Sequence, residues 1–146
     1  MPIPSSGRIL ALDWGERRFG LAVSDETQLI ASPLVTLTRR PGKRFPMPAL
    51  LDQIGRTDPV GIVVGLPLES SGVEGSKAAE VRALAERIRQ SSGLPVELAD
   101  ERMSTARALA AITEQGGTTR NRKAEVDALA AAVILQQFLD TRRGER

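Results

Sequence analysis

The chain has 146 residues, 20 Lys and Arg against 18 Asp and Glu, a net charge of +2, and neither cysteine nor histidine. Those absences exclude a disulfide framework, thiolate chemistry, a histidine general base and most zinc sites. With 41% apolar and 26% charged residues the composition is that of a soluble globular protein of one ordinary domain.

A chain of this length buries roughly 70% of its unfolded surface and needs no crosslink to hold a core. Aromatic residues make up 3%, with one Trp and no Tyr, so that core is aliphatic. The opening MPIPSSGR has no apolar segment of signal-peptide length, and no stretch approaches the ~20 apolar residues of a membrane span. A cytoplasmic protein with no membrane partner is expected.

Taken in chain order, the first element is a strand over 8–14. Its continuous apolar run Ile9–Leu12 implies burial on both faces, and it ends on Asp13. Gly15 and the charged group Glu16-Arg17-Arg18 turn the chain into a hairpin partner over 18–25. A third strand is expected over 29–38, where Pro33 implies an edge position or a bulge. The basic segment RRPGKRFP follows at 39–46. A helix over 48–56 then carries Leu50, Leu51 and Ile54 on one face. The β-branched run VGIVVGLP predicts a strand over 60–67, and LESSGVEG is a polar loop. Val81, Leu84, Ala85 and Ile88 predict a helix over 76–91, stopped by Gly93 and Pro95. LPVELAD, 94–100, is a fifth strand. Ser104 or Thr105 caps a helix running to Gly116-Gly117. A last helix, about 123–140, carries Val126, Leu129, Ala130, Val133, Ile134 and Phe138 as an apolar stripe.

The order is therefore β-β-β-α-β-α-β-α-α. An antiparallel meander followed by right-handed β-α crossovers gives an α/β fold, a mixed sheet with helices on both faces. In open α/β sheets ligands sit beyond the carboxyl ends of the parallel strands. Asp13 ends the first strand, and Asp100 and Glu101 end the last. Asp127 stands near the start of the final helix among small and apolar neighbours. Acids gathered on one rim repel one another unless a cation compensates. Mg²⁺ or Mn²⁺ suits oxygen ligands, and two such ions ~4 Å apart activate a water against a phosphodiester. Singly, each acid also has a plain structural role, in a turn, at a helix cap, in a surface pair or at a helix N-terminus. Basic clusters at Arg39-Arg40, Lys43-Arg44, Arg120 to Lys123 and Arg142-Arg143 permit a polyanionic partner, or are simply solvated loops and a loose tail.

Six blocks occur in a familiar order: LALDWGERRFGLAVSD, ASPLVTL, IVVGLPLESSGVEG, DERMSTARA, EQGG and VDALAAAVILQQFLD. The sequence resembles, over about residues 7–140, the Holliday-junction-resolvase-like family also called pre-16S ribosomal RNA nucleases, within the RNase H-like superfamily. The resemblance implies an RNase H-like fold with a five-stranded mixed sheet and a metal-dependent nuclease site. It carries the family's catalytic and metal-binding acids onto Asp13, Glu101 and Asp127, choosing Glu101 over Asp100. Arg17, Arg18, Arg102, Ser104, Thr105 and Lys123 are the candidate contacts to nucleic acid. The long basic 39–46 segment, and Glu69 where the family often has asparagine, depart from the family pattern.

The expected function is metal-dependent phosphodiester hydrolysis, in 5′-end maturation of pre-16S rRNA during ribosome biogenesis, by a monomer or homodimer acting on RNA or on ribosomal precursor particles. Three alternatives compete: a DNA four-way-junction nuclease, which requires a dimer; a non-catalytic nucleic-acid-binding assembly factor; and a sugar-kinase or actin-like ATPase, which the length of one domain disfavours.

Overall fold

The computed structural model describes residues 2–15, 17–66, 75–100 and 123–145. Five strands form one sheet in the order β3-β2-β1-β4-β5. They are β1 (Ile9–Asp13), β2 (Arg18–Ser24), β3 (Ala31–Thr38), β4 (Gly61–Leu66) and β5 (Val96–Asp100). β1, β2 and β3 are antiparallel neighbours, and β4 and β5 run parallel to β1. This is the mixed sheet that the meander and the two crossovers imply. The helices are α1 (Met47–Thr57), α2 (Ser76–Ser92) and α3 (Lys123–Glu145). The helix expected from Ser104 or Thr105 to Gly116-Gly117 lies outside the described residues.

Strand alternation sorts the core into two layers. Leu10, Leu12, Phe19, Leu21, Ile62, Val64 and Leu66 face α1 and α2, meeting Leu50, Val81, Leu84 and Ile88. Ile9, Ala11, Ala22 and Val63 face the other way, onto Ala131, Ile134, Leu135 and Leu139 of α3. Helices therefore cover both faces. Among the described residues, no helix is long and apolar enough to cross a membrane.

Several boundaries and faces differ from expectation, each for a local reason. β3 begins at Ala31 rather than at 29, because the Asp25 carboxylate accepts the N–H groups of Leu29 and Ile30, both at 2.9 Å. Those two residues belong to the turn and stand exposed. β3 is an edge strand, and its register with β2 shifts between Leu21 and Ala22, which pair with Val35 and Pro33. Pro33 thus occupies both the edge and the irregularity expected of it. In α1 Leu50 is fully buried but Leu51 is exposed, so Leu51 does not share the core face. In α3 the buried stripe is carried by Ala128, Ala131, Ala132, Leu135 and Leu139 along with Val126, Ala130 and Ile134. Leu129, Val133 and Phe138 are only half-buried. α3 also continues past 140 to Glu145. There Arg142 is no loose end: its Nη2 donates to the Ile3 carbonyl at 2.7 Å.

The end of the sheet where β1 begins is tied together by side chains. Gln28, buried and in the left-handed region at φ 59°, donates through Nε2 to the carbonyls of Pro4 and Gly7, each at 2.9 Å. Gln136 of α3 accepts the Ala31 N–H and donates to the Leu29 carbonyl, both at 2.9 Å. Ile3 is buried in the α3 layer, in space that Gly61 leaves: a Cβ there would come within 2.6 Å of the Ile3 side chain. The N-terminal segment, the β2–β3 turn and the second half of α3 are thereby one unit.

Candidate active site

Asp13 is the last residue of β1, directly opposite Gly20 of β2. Ile9 and Ala11 point to α3, and the two-residue period carries Asp13 to that same face. Trp14, next in the chain, packs against the opposite layer. Gly15 serves the turn by close approach rather than by an unusual backbone angle. A Cβ on it would stand 2.4 Å from the Arg18 carbonyl oxygen.

α3 sits on β2 at this end of the sheet. A Cβ on Gly20 would lie 1.8 Å from the backbone oxygen of Asp127, so only glycine lets the helix come this close. Arg18, two residues before Gly20 on the same strand face, donates from Nε to Asp127 Oδ2 at 2.6 Å. The Arg18 side chain is 39% exposed and that of Asp127 23%, so the pair stands at the margin of solvent. Asp13, Arg18 and Asp127 are thus three charged groups arranged around one glycine.

The parallel strands end as the carboxylate argument requires. Leu12 is level with Val64, and Leu66 with Asp100, so the ends of β1, β4 and β5 share one edge. Asp100 is the last residue of β5. Glu101, Arg102, Ser104 and Thr105 lie outside the described residues. Lys123 is the first residue of α3. Arg17 is exposed, and its carbonyl accepts the Arg39 N–H at 2.7 Å.

Among the described residues no three acids gather into a metal-binding group. Asp13 and Asp127 are carboxylate donors, the type a hard divalent cation takes, and Asp127 already holds a positive partner in Arg18. In donor chemistry they fit such an ion as two members of a larger set.

The sequence profile of the family described as Holliday junction resolvase (RuvX) matches residues 7–141. The chain belongs to this family. A relative from Anaeromyxobacter sp. (strain Fw109-5), named "Putative pre-16S rRNA nuclease", is 42% identical over 135 residues, 92% of this chain and 98% of the relative. A relative of the same name from Koribacter versatilis (strain Ellin345) is 41% identical over 145 residues, 99% of this chain and 94% of its own. Among solved structures, Thermus thermophilus RuvC in complex with a Holliday junction substrate is similar with a TM-score of 0.57. Identity there is 20%, over 94% of this chain and 96% of that one, which establishes a shared RNase H-like fold. Family membership makes this RuvX-family chain a hydrolase of phosphodiester bonds by class.

Sequence reasoning brings Asp13 and Asp127 to one edge of the sheet through strand ends and helix starts, and the structure has both beside Gly20. It misses Gly20, although a glycine inside an apolar strand is a recognised sign of close backbone approach. It assigns Arg18 to phosphate; in the structure the Arg18 guanidinium pairs with Asp127 at the margin of solvent. Nothing local in the sequence marks Gln28, Gln136 or Arg142 as the ties at the far end.

Proposed function

We propose that this protein is a divalent-metal-dependent nuclease of the cytoplasm that trims structured RNA, with the 5′ end of pre-16S rRNA as its substrate in ribosome biogenesis. The observation that carries the reading is the placement of Asp13 and Asp127 on either side of Gly20, at the carboxyl edge of the sheet. The names of the similar proteins support the RNA substrate.

In this reading Asp13, Asp127 and Glu101 would hold Mg²⁺ or Mn²⁺, which would supply Lewis-acid polarisation of a phosphate and a more acidic water. The protein's own part is positional. Asp13 ends a strand buried on both faces and paired on both sides, so the backbone that carries its carboxylate has little freedom. Gly20 sets the distance of α3, and with it Asp127. Arg18 neutralises Asp127 until a phosphate draws the guanidinium away. Arg17, Arg18, Arg102, Ser104, Thr105 and Lys123 take the phosphate backbone of the substrate.

A second reading, cleavage of a four-way DNA junction, is favoured by the description of the matching family. It has the same chemistry and requires a dimer to cut two strands. The test sets wild type against Asp13→Asn on single-stranded RNA, a pre-rRNA fragment and a four-way DNA junction, each with Mn²⁺, Mg²⁺ or EDTA. Metal-dependent cleavage of the pre-rRNA fragment, lost in Asp13→Asn, is expected. Preference for the junction, with dimers in solution, selects the second reading. Binding without cleavage, unchanged in the variant, overturns both and leaves a non-catalytic assembly factor.

A further inference from the structure

We infer that residues 39–44 form a pre-shaped basic arm that grips the phosphate backbone of the substrate to one side of the cleavage site. The inference rests on the nuclease reading above and adds to it a second, non-catalytic contact surface.

The segment between Thr27 and Leu51 holds Arg39, Arg40, Lys43 and Arg44 and no acid at all. Its charge is therefore not internally neutralised. A solvated loop of this kind is ordinarily flexible, but this one is fixed at both ends and in the middle. At its start the Arg39 N–H donates to the Arg17 carbonyl at 2.7 Å, and the Arg39 guanidinium carbon lies 5.9 Å from the Phe19 ring centroid. At its finish Phe45 is buried edge-on against Phe19, with ring centroids 4.7 Å apart at 77°. Between them Arg40-Pro41-Gly42-Lys43 closes a turn, the Lys43 N–H donating to the Arg40 carbonyl at 3.0 Å with Gly42 at φ 74°. Proline then glycine at the two central positions suits a type II turn, which sets Arg40 and Lys43 within ~7 Å of each other. Arg40, Lys43 and Arg44 are all exposed. Cations carried on a backbone shaped in advance give up less conformational entropy on binding than those on a mobile loop.

The arm leaves the sheet at the same end as Asp13. Arg18 is level with Thr38, and Asp13 with Gly20, so the start of β2 and the ends of β1 and β3 form one rim. Two strand spacings, roughly 10 Å, separate Asp13 from the point where the arm departs. A strand with one phosphate over Asp13 and Asp127 runs across Arg18 and Arg17 toward the arm. Phosphate contacts of this sort set register and affinity without reading bases.

The experiment measures binding in an Asp13→Asn background, so that substrate is not consumed, across a salt series and over RNA oligomers of increasing length. The arm variant is Arg40→Gln/Lys43→Gln/Arg44→Gln. The control removes three exposed cations elsewhere, Arg8→Gln/Arg56→Gln/Arg87→Gln. The arm variant is expected to lower the slope of log affinity against log salt by about 2 on single strands and nearly 3 on duplex, since each phosphate neutralised contributes ~0.7 or ~0.9 to that slope. The deficit should vanish on the shortest oligomers and grow with length, while the control keeps the wild-type slope. An unchanged slope in the arm variant, with wild type still binding and cleaving, overturns the arm and leaves the nuclease reading in place. Equal weakening in both triple variants reduces the effect to net charge and also overturns it. Wild type that binds no nucleic acid removes the arm and the nuclease reading together.

Discussion

The guanidinium Nε of Arg18 lies 2.6 Å from Asp127 Oδ2, joining residues 109 apart in sequence across the seam between β2 and α3. A half-exposed ion pair of this kind is worth about 0.2–1 kcal/mol. It therefore does little for the fold, but it occupies a carboxylate that a divalent ion needs. Arg18→Gln is expected to leave thermal stability within about 1 kcal/mol of wild type and to tighten Mn²⁺ binding by up to about fivefold, the exchange equivalent of that pair energy. The same change should weaken nucleic-acid binding by one phosphate interaction. Calorimetric titration with Mn²⁺ in the absence of nucleic acid separates the two effects. Metal affinity that is unchanged or weaker would show that Arg18 does not compete.

Gly20→Ala tests whether the approach of α3 to β2 sets the site. A methyl group 1.8 Å from the Asp127 carbonyl oxygen has no room, and α3 must lift or β2 must bend. The expected cost is about 1–3 kcal/mol in stability, as for other overpacked positions. Moving Asp127 by about 1 Å is expected to cost on the order of 100-fold in turnover. Cleavage measured well below the melting temperature, with folding verified by circular dichroism, distinguishes misplacement from unfolding. Wild-type turnover in a folded Gly20→Ala protein would refute the positioning role.

Acid sensitivity should be traceable to Asp25. The Ile30 N–H, then the Thr27 hydroxyl, and then the Leu29 N–H hold its carboxyl at about 2, below the ordinary 3.8. A depressed folded-state pKa contributes stability that is fully present above about pH 4 and disappears as pH falls through about 2. Because the group is exposed, the contribution is at most about 1 kcal/mol. Denaturant melts of wild type and Asp25→Asn should differ most near pH 5 and converge below pH 2. A gap that stays constant over that range would rule out the carboxylate as its source.

Gln28→Ala should weaken the opposite end of the molecule while sparing the chemistry. It leaves the carbonyls of Pro4 and Gly7 without their Nε2 donor, which predicts a loss of about 2 kcal/mol. Gln28 lies near the start of β1, roughly 15 Å along the strands from Asp13. Limited proteolysis should find earlier cleavage in residues 2–7, with turnover at low temperature unchanged. Loss of turnover without loss of stability would contradict this separation.

The strand order is legible because ILAL and GIVVGL are unbroken apolar runs, and such runs belong in the buried middle of a parallel sheet. The edge where Asp13 lies follows from that order. Leu29 and Ile30 look like strand because apolar periodicity does not register a carboxylate capturing two amides four and five residues on. The apolar stripe of α3 runs through Leu129 and Val133 on paper because alanines give little contrast; Ala131 and Ala132 in fact meet the sheet, and Leu135 and Leu139 follow them. Gly20 carries a readable sign, a glycine where a strand should have a side chain to pack. The partnership of Arg18 with Asp127 has none, since it depends on how closely a helix settles on a strand more than a hundred residues earlier.

Trp14 is the sole tryptophan of a chain with no tyrosine, and it directly follows Asp13. Its indole packs into the layer beneath the rim while its backbone follows directly on the strand that presents the carboxylate. The intrinsic ultraviolet emission of the protein consequently originates one residue from the candidate chemistry. Changes in its intensity or wavelength give a label-free optical record of what arrives at that rim, and of how fast, uncontaminated by emitters elsewhere in the fold.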